Sequence, residues 1–206
     1  MTKYSRRFKL MLTLFSLIMF SGVMFAQEKT AKKPTKPFYP LAVGNEWTYR
    51  VNGNNSNTFV LKVKEKTKIE KLTCYVFALK DDKELPSEYV CEKKDGLYRV
   101  KIGKDKLIKP PLLILKLPVK KKLSWKVNSE VGIDEIRGEF QATLETIDVP
   151  AGKFSCIKVK SVNLNVLGSE MKITAWYARD VGQVKQRLVI SGVEVTTELT
   201  KYNLQK

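Results

Sequence analysis

The side chains able to do chemistry are few and scattered. The chain has three cysteines, Cys74, Cys91 and Cys156, and no histidine. Without an imidazole, the Ser–His and Cys–His pairs that activate nucleophiles cannot be assembled. Three dispersed cysteines also lack the ligand spacing of a metal site. No Gly-x-Ser-x-Gly elbow and no phosphate-cradling glycine loop is present. Glu145 and Asp148 are the nearest approach to a carboxylate pair for glycoside hydrolysis, yet they border a turn, where acids are ordinarily just solvated. An enzyme would need acids such as Glu145, Asp148 or Asp180 to converge in a cleft. Cys156 has no histidine to lower its pKa; it follows Phe154 within a strand-like run and reads as a small core residue. The expectation is a non-enzymatic protein with no catalytic residue, no metal and no cofactor.

Cys74 and Cys91 lie on two strand-like runs joined by residues 81–86. Folding these runs as a hairpin centred between Asp82 and Lys83 sets Cys74 opposite Cys91. A cross-strand disulfide is then geometrically open and would contribute about 3 kcal/mol by closing the loop. Two free buried thiols are the alternative.

The residues best suited to binding are apolar. Residues 109–122 read KPPLLILKLPVKKK, an apolar run bracketed by prolines and lysines. Proline cannot donate to a ladder, so this segment is expected to be a loop rather than a central strand. It would either lay Leu112 to Leu115 over the core or form an apolar lip with a basic rim, suited to acyl chains or an anionic membrane surface. Leu112, Leu113, Ile114 and Leu115 are therefore candidate ligand contacts, together with Trp125 and Trp176. The aromatic residues Trp47, Trp125, Trp176, Tyr49, Tyr98, Tyr177 and Phe140 otherwise read as core or sheet-face residues. An aromatic-lined cavity is the sharper reading, because curved sheets and barrels can hold one.

The elements that must position these side chains are strands. Period-two alternation runs through Thr58 to Val63 and Glu139 to Ile147. Asn52-Gly53, Asp95-Gly96, Pro150-Ala151-Gly152, Gly168, Asp180 to Gly182 and Ser191-Gly192 punctuate the runs as turns. No helical period is sustained. The predicted fold is all-β: an antiparallel meander forming a curved sheet, open barrel or sandwich.

The N-terminus reads as an export signal. Lys3, Arg6, Arg7 and Lys9 precede an uncharged apolar run from Leu10 to Phe20, and Ala26 is a small residue before Gln27. The expected organisation is a signal peptide over residues 1–26, a flexible basic lead-in over 27–37 and a single antiparallel β domain over 38–206. The expected location is exported, periplasmic or extracellular; an uncleaved signal anchoring the chain in the inner membrane is the alternative. No cysteine near the cut offers a lipid attachment site. Losing the four cations of the signal lowers the formal charge from +17 to +13. Most of that charge is lysine alternating with apolar residues, as at Lys62 and Lys64 or Lys158 and Lys160, which is the pattern of a solvated strand face. With only five arginines after the signal and no motif, nucleic acid is not expected as a partner. The expected partners are an apolar ligand or an anionic envelope surface, and the oligomeric state is not fixed by the sequence.

Several phrases carry a resemblance: residues 39–49 (YPLAVGNEWTY), residues 110–118 (PPLLILKLP) before Trp125, residues 149–154 (VPAGKF), residues 176–185 (WYARDVGQVK) and residues 198–202 (ELTKY). Together the chain resembles a group of secreted bacterial β-rich proteins of uncharacterised function. That resemblance implies an antiparallel β domain behind a signal sequence and supplies no catalytic residues. At the level of architecture it is also similar to the curved-sheet periplasmic carriers of lipids and lipoproteins. The combined expectation is an exported binding protein for an apolar or amphiphilic ligand. The alternative is a structural or interaction module docking on a protein or polyanionic surface through its lysine-rich face.

Overall fold

Twelve strands account for almost every segment between the turns. They are β1 (Glu46–Val51), β2 (Asn54–Ile69), β3 (Leu72–Leu79), β4 (Glu88–Lys93), β5 (Gly96–Ile102), β6 (Lys106–Lys116), β7 (Leu123–Val131), β8 (Asp134–Val149), β9 (Gly152–Val166), β10 (Ser169–Ala178), β11 (Gly182–Ile190) and β12 (Val193–Asn203). The computed structural model describes residues 38–80 and 87–205. The signal, the lead-in and the 81–86 connection read from the sequence therefore lie outside the described residues. All described residues belong to one compact unit, Lys36–Lys206.

Each strand pairs antiparallel with its neighbours in sequence, and β1 pairs with β12 to close the ring. The fold is thus the expected all-β antiparallel meander, closed into a barrel. Closure removes the free edges that an open sheet would expose. Alternation decides which side chains enter. Trp47, Tyr49, Val63, Leu97 and Leu199 are fully buried, whereas the intervening positions carry lysines, acids and threonines. Most apolar side chains point inward and most charges outward, whereas the outer wall of a lipid-embedded barrel is apolar.

Strand β6 corrects the sequence reading. Residues 106–116 are not a loop but a strand, and Pro110 and Pro111 lie within it. The prolines are tolerated because the ladder to β7 stops before them: its register consists of Ile108↔Val131 and Lys109↔Glu130. On the other side β6 stays in register with β5 through Leu112, Leu113, Leu115 and Lys116. A missing N–H costs nothing where no partner strand waits for it. Across the seam the Trp125 indole N–H donates to the Leu113 carbonyl at 2.9 Å. Strand β9 runs unbroken over Gly152–Val166.

Cys74 and Cys91 are joined by a disulfide. The β3–β4 register Tyr75↔Val90 brings them side by side. Both are fully buried in a small satellite cluster with Val100, against which Ile69, Leu72, Tyr89 and Tyr98 pack.

Candidate functional site

A ring of eight strands is just wide enough for interior side chains to fill it; more strands leave space that something must occupy. Here the segment before β1 supplies part of the filling. Tyr39 touches Trp47 and Phe77 with ring centroids 5.9 Å away in each case, and Tyr177 at 6.3 Å. One side chain thus spans from β1 and β3 to β10. The residue before it is tied down on both sides: the Phe38 N–H donates to Glu92 at 3.2 Å, and the Asp180 N–H donates to the Phe38 carbonyl at 3.1 Å. Gly182 makes room for it, since a Cβ there would lie 2.9 Å from the Tyr39 ring, at a φ of +101° that favours glycine anyway.

Around Tyr39 the interior is solid. Trp47 stacks on Phe77 at 5.8 Å and donates its indole N–H to the Val181 carbonyl at 2.6 Å. The Tyr49 hydroxyl donates to the Gln183 carbonyl at 2.7 Å. Burial pushes the phenols of Tyr39 and Tyr49 well above the ordinary tyrosine range and that of Tyr177 up to about 12. They are therefore uncharged packing residues.

Beyond this aromatic floor the interior is hollow. A cavity of about 330 Å³ is bounded by Tyr39, Tyr49, Phe77 and Tyr177 below, and by Phe59, Leu61, Ile114, Met171, Ile173 and Leu188 along its walls. The volume falls at the lower end of the range for small-molecule sites. Its polar lining is Glu88, Arg99, Gln183, Gln186 and Thr197. Arg99 Nη2 lies 2.8 Å from Glu88 Oε2, and the Gln183 amide donates to Gln186 at 3.2 Å. Arg99 Nε is buried with no hydrogen-bond partner among the described residues.

Among the six apolar candidates, the structure brings Ile114 alone to the cavity wall. Leu112 and Leu115 are buried in the core, and Leu113 packs against it. Trp125 packs on Phe140 at 5.7 Å and bridges the β6–β7 seam. Trp176 is turned to the outer wall. There its indole N–H donates to Glu145 at 2.8 Å, while Lys158 and Lys185 sit over its ring at 5.5 and 5.8 Å.

That outer contact is part of a charged ladder crossing six strands. Glu145 on β8 pairs with Lys158 on β9 at 3.1 Å, Trp176 on β10 sits between the two lysines, and Lys185 on β11 pairs with Glu198 on β12 at 2.9 Å. Glu198 also takes Arg50 of β1 at 2.8 Å. The Trp176 N–H and the Lys158 ammonium hold the Glu145 carboxyl below its ordinary range, so it is an ionised structural anion rather than a general acid. Asp148 is in register with Lys153 beside the β8–β9 turn, and Asp180 lies in the β10–β11 turn. Burial, then the Glu145 charge, pushes the Cys156 thiol up to about 11, so it is protonated and inert at neutral pH.

The lumen polar residues escaped the sequence reading, although one signal was present. Arg99 lies two positions after Leu97, Glu88 two before Val90 and Gln186 two after Val184, each on the face of a core residue. A polar side chain at an inward parity position is that signal.

No curated protein matches the sequence. Two solved structures align over 81% of this chain and 98% of their own. One is a candidate lipoprotein from Parabacteroides distasonis, at 15% identity and a TM-score of 0.46. The other is a candidate exported protein with a YmcC-like fold from Bacteroides fragilis, at 16% identity and a TM-score of 0.41. From the residue before β7 to within β11, residues 122–188, the chain is similar to the family described as DUF3108-like.

Proposed function

We propose that this protein is a non-enzymatic, exported envelope protein that carries an apolar or amphiphilic ligand inside its barrel. The observation that carries this reading is the unfilled half of the lumen. A protein selected for stability alone would fill about 330 Å³ of apolar-walled space, because interiors pack to crystal-like density and voids cost stability. The export signal and the disulfide of an oxidising compartment support the location.

The entrance this reading calls for is assigned to the end of the ring that carries an apolar edge. In an antiparallel ring the β5–β6, β7–β8, β9–β10 and β11–β12 turns share one end. Leu107, Ile133, Leu167 and Val193 stand exposed at or beside these turns, Ile133 completely so. Turn tips ordinarily carry polar residues, and this apolar edge suits the transfer of a greasy molecule. The test is solvent extraction and mass spectrometry of gently purified processed protein. The expected result is one recurring class of small apolar molecule in stoichiometric amount. Protein that yields none, and that takes up none from mixed lipid micelles, would contradict the reading.

A further inference from the structure

The cavity reading leaves the head group of the ligand open, and the polar lining narrows it. Resting on that reading, we infer that the ligand is a single-chain amphiphile with an uncharged, oxygen-bearing head, held between the Arg99–Glu88 pair and the Gln183–Gln186 pair.

Three observations converge. The first is placement. Strands β5 and β11 stand six places apart in the ring of twelve, so Arg99 and the two glutamines face each other across the lumen with the cavity between them. The apolar walls of Phe59, Leu61, Ile114 and Leu188 continue from this polar belt, which divides the site into head and tail regions. The second is charge. Arg99 and Glu88 are the two charged residues of the lining and they neutralise each other at 2.8 Å. An anionic head would bring its charge against Glu88, and a cationic head against Arg99, in a setting where like charges are costly. A neutral head meets neither. The third is unmet hydrogen bonding. Arg99 Nε is a buried donor without a partner among the described residues, and a guanidinium carries five N–H groups. Native structures seldom leave such a group unmatched unless something absent completes it. Ester, amide or hydroxyl oxygens would engage the guanidinium, and the glutamine amides can both donate to and accept from the same head.

Size sets the tail. At ~30 Å³ per water-sized group, the cavity takes on the order of a dozen non-hydrogen atoms. That suits one ten-carbon chain with its ester group, the remainder of a glycerol head lying at the open mouth of the cavity, and leaves no space for a second chain of that length.

The test compares three probes of equal chain length by calorimetry below their aggregation thresholds at neutral pH: monodecanoylglycerol, decanoate and decyltrimethylammonium. The expected result is that monodecanoylglycerol binds several-fold more tightly than either ion, since like-charge contacts remain unfavourable at side chains that keep 27% (Arg99) and 42% (Glu88) exposure. In Glu88→Gln, which keeps shape and leaves Arg99 uncompensated, decanoate should overtake the neutral ester. Decanoate binding the native protein as tightly as the ester, or an unchanged order in Glu88→Gln with native circular dichroism, would overturn the uncharged-head assignment while leaving the cavity reading intact. Failure of all three probes to bind would overturn the cavity reading and this inference with it.

Discussion

The two halves of the barrel interior follow opposite rules. In the half built around Tyr39, Trp47, Phe77 and Tyr177, aromatic rings pack against one another and buried donors find carbonyls at 2.6 and 2.7 Å. In the half built around Arg99, apolar walls are interrupted by Glu88, Arg99, Gln183, Gln186 and Thr197, and among the described residues the space between them is unfilled and a buried donor goes without a partner. Both halves sit inside the same closed ring, so the difference is not a consequence of the fold. It separates residues that hold the barrel together from residues that leave room in it.

This contrast is broken or sharpened by mutation. The largest effect is expected at the floor. Trp47 is fully buried, and Trp47→Ala should cost about 3–5 kcal/mol in chemical denaturation, the usual loss for a buried aromatic. A loss under ~1 kcal/mol would show that the floor is not the stabilising half. Next comes the satellite disulfide. Reducing Cys74–Cys91, which closes a separation of 17 residues, should lower stability by about 3 kcal/mol while leaving ligand binding in place, since neither cysteine lines the cavity.

The outer wall gives a smaller, pH-dependent effect. The Lys185 ammonium, followed by the Arg50 guanidinium, holds the Glu198 carboxyl below its ordinary value of 4.5. A depressed folded-state pKa means that the unfolded chain takes up the proton first. The contribution is complete above pH 4.5 and is lost as the pH falls through the lower folded-state value. Glu198→Gln should cost about 1–2 kcal/mol at neutral pH, and the gap from the native protein should close on acidification. A gap that does not change with pH would locate the loss in packing instead. Smallest in magnitude and opposite in sign is the effect of filling the hollow. Ile173→Phe places a ring in the cavity and should leave stability unchanged or raise it by up to about 1 kcal/mol, while lowering affinity for monodecanoylglycerol at least about tenfold. Destabilisation with intact binding would mean that the space is not the site.

How far the sequence discloses this contrast depends on the range of the interaction. Alternation is local, so the strands, the turns at Asn52-Gly53 and Asp95-Gly96 and the inward faces of β2 and β8 could be read directly. The pairing of Cys74 with Cys91 follows from symmetry about a short connection. Closure was not legible, because the β1–β12 register joins Trp47 to Tyr202 across nearly the whole chain and leaves no local mark. Strand β6 was misjudged because its prolines were weighed against continuous ladders, whereas the registers to β5 and to β7 both skip Pro110 and Pro111. The apolar run 112–115 drew attention by its composition, yet three of its four residues serve the core. Arg99 and Glu88 looked like ordinary surface charges. Only the ring places them opposite Gln183 and Gln186.

The most direct test of the account is a crystal structure of the protein grown with monodecanoylglycerol. The account predicts an alkyl chain lying between Phe59, Ile114 and Leu188, with a head-group oxygen about 3 Å from the Arg99 guanidinium. A lumen in which those side chains close over the space, with the amphiphile absent or seated on the outer wall, would contradict it.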